Sequence, residues 1–542
     1  MNTITYSSFL GEKKKWNLLL YIFLIIGVVI RLYHFFYNRS LWMDEVYLSI
    51  SFLKMNALEI LTNPLYYQQK APIGFLLSVK LIVNIFGNKE MVLRLIPLIS
   101  GISALFLFVP VAHHFLKKPA AILAIGILCF SPALVYHSVE IKQYSTELLA
   151  TVLALSLFIK YQSASRFKDL LIWGLSGALI LWFSYSAIFI LGGIAISLSI
   201  SYLLTKKWER FMVSILPFGL WLVSFLLNYF LFTYKHAQSE WIAYWFRSYG
   251  NFMPFPPTSL SDLKWFGLNL YQIMDYPLGL VWNFDQITGP SLSKLLKFPF
   301  IPILLLIYGI YSILKENRTL AWVFLTPILL SLIASGLELY PLTERFWVFI
   351  VPIFILFIAK GFESVTAKVQ SGKLVLFFSF VVITPAIIQV TTFLFQPDQF
   401  YVHKKSYQRE ALQFVNQHYR KDDAVYVYWN NLPGYRIYKM MYPLKYHAIE
   451  GSDLRRQAKN YSNYEQLLNI DFKSFSGHKR VWLIFNTKFL TDIGDGIDEP
   501  SWYYKDPVKP MDHLLNTFEK LGKPIKKYVT KDISVYLFEL QH

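Results

Sequence analysis

Up to about residue 396, apolar residues in this chain do not alternate with polar ones. They arrive in blocks. A helix needs about 20 predominantly apolar residues to cross the hydrocarbon core of a bilayer. Blocks of that kind run over 17–36, 91–112, 120–136, 145–161, 169–184, 186–205, 210–232, 297–314, 319–336, 346–362 and 373–395. A further block, 73–86, is ambiguous: its 14 residues rise only about 21 Å as a helix, short of the roughly 30 Å core. Ser78, Lys80 and Asn84 interrupt it, which suits a helix lying along the membrane surface.

Charge resolves the ambiguity. Basic clusters stand at Lys13-Lys14-Lys15, Lys117-Lys118, Arg166 with Lys168, Lys206-Lys207 with Arg210, Lys315 with Arg318, and Lys360 with Lys368. All of them face the cytoplasm only if 73–86 does not cross. The pattern therefore predicts a polytopic α-helical membrane protein with about 11 transmembrane helices and interfacial helices in the first outer loop. Its N-terminus is inside, its C-terminal tail is outside, and the plasma (inner) membrane is its place. The loops 37–90, 137–144, 184–186, 233–296 and 337–345 then share the outer face, and they hold most of the unusual polar residues.

The tail, 397–542, has the composition of a globular domain. Its segments 423–429, 480–486 and 533–540 are rich in Val, Ile, Tyr and Phe and read as strands. Segments 406–419 and 511–521 read as amphipathic helices. A small extracytoplasmic α/β domain is expected there, beside a transmembrane catalytic domain over 1–396.

Composition agrees. Of 542 residues, 55% are hydrophobic and 16% charged, with mean hydropathy +0.40, which excludes a soluble enzyme and a disordered or fibrous chain. The net charge of +18 fits cytoplasmic loops and anionic lipid headgroups rather than nucleic acid. Cys129, the single cysteine, leaves no intrachain disulfide. The apolar run after Lys15 is too long for a cleavable signal.

The sharpest chemical signal is Asp44-Glu45, just beyond the first span. Paired carboxylates at a membrane boundary are functional candidates, although Asp44 also suits the cap of a helix running from Glu45 to about Leu61. Tyr66-Tyr67-Gln68-Gln69-Lys70-Ala71-Pro72 places a lysine before a helix start, where it meets an anion or snorkels to headgroups. Glu140, Lys142 and Tyr144 crowd a short outer turn. Glu344 and Arg345 open a later span, and Arg345 is suited to a bidentate grip on phosphate. The loop 233–296 carries Trp241, Arg247 and several further aromatic rings, fit either for stacking on sugar or for an interfacial belt.

These residues resemble a known family. The acidic pair after span one, Lys70-x-Pro72, Phe86-Gly87 followed by Arg94-Leu95-x-Pro97, Ser131-Pro132 leading to Glu140-x-Lys142-x-Tyr144, and Arg345 with Pro352 and Ala359-Lys360-Gly361 are similar to the GT-C fold glycosyltransferases. The protein-mannosyltransferase-like and aminoarabinose-transferase-like branches are the nearest in pattern, although Gln69-Lys70-Ala71-Pro72 stands where the latter show Glu-Lys-Pro-Pro. The resemblance implies transfer of a sugar from a polyprenyl-phosphate carrier to a lipid, glycan or protein acceptor. It makes Asp44 the base, Glu45 a supporting acid and Lys70 a phosphate contact. Glu140, a further catalytic candidate, and Lys142, a further phosphate contact, border the cavity, Arg345 is a second phosphate contact, and Tyr66, Tyr67, Gln69, Tyr144, Trp241, Arg247 and Glu344 are expected to line it. No cofactor is required, and a divalent metal is optional. The rival reading is a transporter or flippase of lipid-linked sugars, for which internal repeats and mid-membrane polar residues are expected.

Overall fold

The computed structural model describes residues 3–234, 240–282, 297–397, 400, 406–475, 477–488, 500–505 and 507–541, the side chains of 3–15 and 240–242 excepted. Helices occupy all eleven places where a span is predicted. Among the described residues, seven are long and apolar enough to cross a membrane: Trp16–Tyr37, Leu95–Phe115, Ala187–Leu204, Trp208–Thr233, Arg318–Gly336, Glu344–Thr366 and Gly372–Phe395. The other four, Lys118–Phe130, Tyr144–Tyr161, Phe167–Phe183 and Phe300–Glu316, are shorter or more polar. Ile73–Phe86 is one separate 14-residue helix.

Prolines move two boundaries away from the expected ones. The block 91–112 divides at Arg94, because Pro97 has no N–H to give the carbonyl of Leu93. The block 120–136 breaks at Ser131, which is extended (φ −56°, ψ 118°) as a residue before proline prefers. Pro132 cannot bond the Leu128 carbonyl, and Arg31 takes over that role. Its guanidinium reaches the carbonyls of Leu128 at 3.2 Å, Cys129 at 3.1 Å and Gly27 at 2.9 Å. Three backbone carbonyls thereby hold both terminal nitrogens of a buried cation, and the broken helix delivers the 137–142 turn to the end of the bundle.

The segments predicted to lie outside meet at one end of the helices. Trp42 reaches Glu140, Arg345 reaches Asp44, Tyr185 reaches Ala71 and Tyr276 reaches His137. The basic clusters gather at the other end, where Arg210 bonds the Ser163 carbonyl and Lys360 pairs with Glu316 and Glu363.

The tail forms a five-stranded sheet from β1 (Asp423–Val427), β2 (Ile449–Glu450), β3 (Arg480–Asn486), β4 (Gly522–Val529) and β5 (Ile533–Leu540), in the order β2-β1-β3-β5-β4. β1 runs parallel to β2 and β3, while β5 is antiparallel to both β3 and β4. Arg480, beside Asp423 in the parallel register, pairs with it at 2.6 Å. The helices Gln408–His418 and Pro510–Leu521 match the expected ones within two residues. Buried apolar residues of the first outer loop, among them Leu41, Val46, Phe52 and Phe75, join those of the tail in one cluster. They stand apart from the membrane bundle's own core.

Within the bundle, Gly309 and Gly361 let the helices Phe300–Glu316 and Val351–Thr366 touch backbone to backbone. A Cβ on Gly309 would run into the carbonyl of Phe357, and one on Gly361 into that of Leu305. Small residues allow such close approach where lipid offers no hydrophobic drive. Gly309→Leu is expected to lower the unfolding temperature of the detergent-solubilised protein by several degrees, whereas Gly219→Leu, which faces open space, leaves it near the starting value.

Candidate active site

Glu45 is the organising charge. Its side chain is fully buried, and five nitrogens donate to it. Arg94 approaches side-on through Nε at 3.2 Å and Nη2 at 3.0–3.1 Å. Arg39 Nη1 stands at 3.1 Å, the Ile141 amide at 3.0 Å and the Trp42 amide at 3.3 Å. Glu45, rather than the expected Asp44, therefore receives the cap amide of the helix Met43–Lys54. That helix also stops short of Leu61: Met55 is extended, and Asn56 opens the separate helix Ala57–Thr62 through a reciprocal cap with Glu59. Arg39 stays charged although burial opposes it, because Glu45, Tyr136 and Glu140 outweigh the loss of water.

Asp44 is one residue away and lies in a different environment. Its side chain is 24% exposed, and Oδ2 accepts from Arg345 Nη1 at 2.6 Å. The Arg345 guanidinium is ringed by Trp42, Tyr144 and Phe346, whose centroids lie 5.6–6.0 Å away. Glu140 is buried; it accepts from the Trp42 indole at 3.1 Å and stands 2.6 Å from His137 Nδ1. The other ring nitrogen of His137 meets the Tyr276 hydroxyl. Both Glu45 and Glu140 are thus enclosed carboxylates that fix the frame, and Asp44 is the acid that reaches the opening.

Lys142 joins this group to the Lys70 segment. Its Nζ donates to Gln69 Oε1 at 2.7 Å. Burial pushes the Lys142 ammonium below its ordinary 10.5; Asp44 and Glu140 favour the charge and Arg345 opposes it. Lys70 is half-buried, and no hydrogen bond or ion pair holds it among the described residues. Burial alone pushes it below 10.5, with no carboxylate to counter the effect. Pro72 caps the helix Ile73–Phe86, and the Tyr185 hydroxyl fixes the carbonyl of Ala71 at 2.8 Å. Lys80, on the same helix, turns inward to the Phe52 carbonyl at 2.9 Å.

Backbone strain marks the same places. Six described non-glycine residues have positive φ, and four of them flank the site: Asn38 before Arg39, Tyr67 and Gln68 before Gln69, and Glu344 before Arg345. Such conformations cost about 1–3 kcal/mol each and persist where surrounding contacts fix them. Tyr67 is held by stacking on Tyr47 at 4.5 Å, and the Tyr66 amide bonds Ser51.

Other expected cavity residues lie further out. Tyr144 packs beside His137 and Arg345. Glu344 is exposed; together with burial, which acts more strongly, it raises Asp275 to about 6. Arg247 is exposed and engages Glu338, outside the cluster. The Trp241 side chain lies outside the described residues. Among the described residues, no three His, Cys, Asp or Glu side chains gather as a metal-ligand set. Arg39 carries no motif in the sequence; Trp42 and His137 stand beside the acidic pair and in the outer turn without a role of their own, Tyr276 counts only among the aromatic rings of the 233–296 loop, and Arg94 only as part of a motif. Two arginines at the outer edge of apolar segments were a usable signal, because such cations require a carboxylate partner.

The structure of ArnT from Cupriavidus metallidurans bound to undecaprenyl phosphate superposes with a TM-score of 0.54 at 12% identity, over 96% of this chain and 97% of that one. Its apo state gives 0.51 over 95% and 97%, also at 12% identity. The chain has the GT-C glycosyltransferase fold. Residues 70–233, which begin at Lys70, match the family model described as dolichyl-phosphate-mannose-protein mannosyltransferase. The Archaeoglobus fulgidus oligosaccharyltransferase matches at 14% identity with a TM-score of 0.48, over 95% of this chain and 72% of that one. No curated protein matches the chain.

In this GT-C frame, Glu45→Gln leaves Arg39 and Arg94 buried without the one carboxylate that pairs with both. A loss of about 3–5 kcal/mol is expected, read as a large drop in detergent unfolding temperature. Asp44→Asn, at the partly open rim, is expected to unfold close to the starting temperature.

Proposed function

We propose that this protein is an inverting glycosyltransferase that moves a sugar from a polyprenyl-phosphate carrier to a hydroxyl of a lipid, glycan or protein acceptor. One observation carries the reading: a half-buried lysine without a counter-ion, Lys70, follows Gln69, which accepts from Lys142, and the Lys142 charge in turn feels the carboxylate–arginine pair at the rim, Asp44 with Arg345. That is a base next to unneutralised positive charge, as transfer from a sugar phosphate requires. The binding of undecaprenyl phosphate by ArnT, a protein of the same fold, agrees with the donor class.

Asp44 Oδ2 is engaged by Arg345, and Oδ1 has no partner among the described residues. In the proposed step Asp44 takes the acceptor proton while the acceptor atom bonds to the anomeric carbon. Attack comes from the side opposite the phosphate. The bond from that carbon to the phosphate oxygen breaks, and its electron pair leaves with the phosphate. Lys70, Arg345 and Lys142 meet the charge that appears there, a role a divalent metal would share. The basic clusters at the far end of the helices favour a non-cytoplasmic location for this step.

Asp44→Asn in purified protein is expected to reduce transfer from a labelled polyprenyl-phosphate sugar by about 100-fold or more; undiminished turnover would remove Asp44 from the role of base. Lys70 tests the donor side. Its lowered pKa means that the ammonium, fully present at low pH, is lost on the alkaline side earlier than in a free lysine. The donor KM should therefore climb with rising pH, while Lys70→Arg flattens that climb. Lys70→Ala should raise the KM for donor and spare that for acceptor; equal effects on both would argue against a phosphate contact.

A further inference from the structure

The segment that leads into Asp44 is gripped from two sides. From below, Arg94 Nη1 donates to the Arg39 carbonyl at 2.7 Å and to Asn38 Oδ1 at 3.2 Å. From above, the grip comes from the C-terminal tail, several hundred residues away in the chain. The Tyr438 hydroxyl accepts from the Leu41 amide at 2.8 Å and lies 3.1 Å from Ser40 Oγ. Ser40 Oγ also accepts from the Arg409 amide at 2.9 Å. The Arg409 guanidinium then bonds the Asn38 carbonyl at 2.7 Å and pairs with Glu90 at 2.8 Å. Glu90 is fully buried, and its second oxygen accepts from the Tyr442 hydroxyl at 2.6 Å. Lys89 closes the ring by donating to the Met441 carbonyl at 2.7 Å.

We infer that Tyr438 and Arg409 are positioning residues for the transfer reaction: the tail fixes residues 38–41 and thereby aims Asp44. The inference rests on the reading of Asp44 as the base. Three observations separate it from plain domain docking. The tail's contacts reach the backbone at the Asn38 carbonyl and the Leu41 amide, with the Ser40 hydroxyl held between them, where docking alone requires only side-chain surface. Tyr438 is 1% exposed, so the Leu41 amide has no water to replace the lost hydroxyl. Asn38 sits at φ 48° and is held at both its carbonyl, by Arg409, and its Oδ1, by Arg94. With Glu45 and Arg94 holding the lower side, the tail supplies the upper half of a vice. The tail then belongs to the machinery of turnover, although none of its residues touches the reacting atoms.

The test uses the full-length protein in detergent or nanodiscs, with Tyr438→Phe, Arg409→Ala and the milder Ser40→Ala. Hydrogen–deuterium exchange of the peptide covering 38–44 is read beside kcat, donor KM and unfolding temperature, with Lys520→Ala, at an exposed pair with Glu465, as control. Tyr438→Phe should speed exchange at 38–44 and lower kcat by about 10- to 100-fold, as misplacing a reacting group does, with donor KM little changed. Ser40→Ala should show the same pattern more weakly while remaining folded, which covers the case that Tyr438→Phe unfolds. Unchanged exchange would overturn the clamp; faster exchange with unaltered kcat would overturn the positioning role. If the unmodified protein transfers no sugar at all, the enzymatic reading fails, and the exchange data still decide whether the tail holds the segment.

Discussion

A single buried carboxylate holds the outer end of this protein together. Glu45 accepts from Arg39 and Arg94 and from the amides of Trp42 and Ile141, and these groups come from chain segments about 100 residues apart. A bare charge at that depth costs several kcal/mol, and it is tolerated only when donors converge on it from every side. Its neighbours follow from that constraint: Trp42 is set to reach Glu140, and Asp44, one step around the helix, is turned to the rim.

The distribution of partners among the cations explains how a stable frame coexists with an open site. Arg39, Arg94 and Arg345 each face a carboxylate. The lysines differ: Lys142 is bonded to an amide oxygen, and Lys70 has no partner among the described residues. Arginine, always charged and forked, suits permanent pairing, whereas lysine is a point charge left for an incoming anion. Arg39 and Arg94 serve the fold, while Arg345, Lys142 and Lys70 stand at the rim. Around that rim, positive-φ residues mark where the chain has been bent to bring side chains inward.

Much of this was legible in the sequence. Block length and loop charge suffice for the helical membrane architecture, because a bilayer imposes one length and one charge asymmetry. The grouping of Asp44, Lys70, Glu140, Lys142 and Arg345 followed from assigning their loops to one face. The different fates of Asp44 and Glu45 were hidden: adjacent helical residues project about 100° apart, and nothing local says which faces the core. The pairing of Glu45 with Arg94 depends on three-dimensional closure. The strand β4, GKPIKKYV, gives no apolar alternation in the sequence because it is an exposed edge whose lysines guard it from further pairing. The Asn56-x-x-Glu59 cap was readable and explains why the first outer helix ends early.

The most direct test of the account is a cryo-electron microscopy structure of the protein with undecaprenyl phosphate. The account expects the phosphate within hydrogen-bond reach of Lys70 Nζ, on the side where Arg345 and Lys142 stand, with the Glu45 cage unmoved. A phosphate bound elsewhere, with Lys70 engaged by a protein carboxylate, would contradict it.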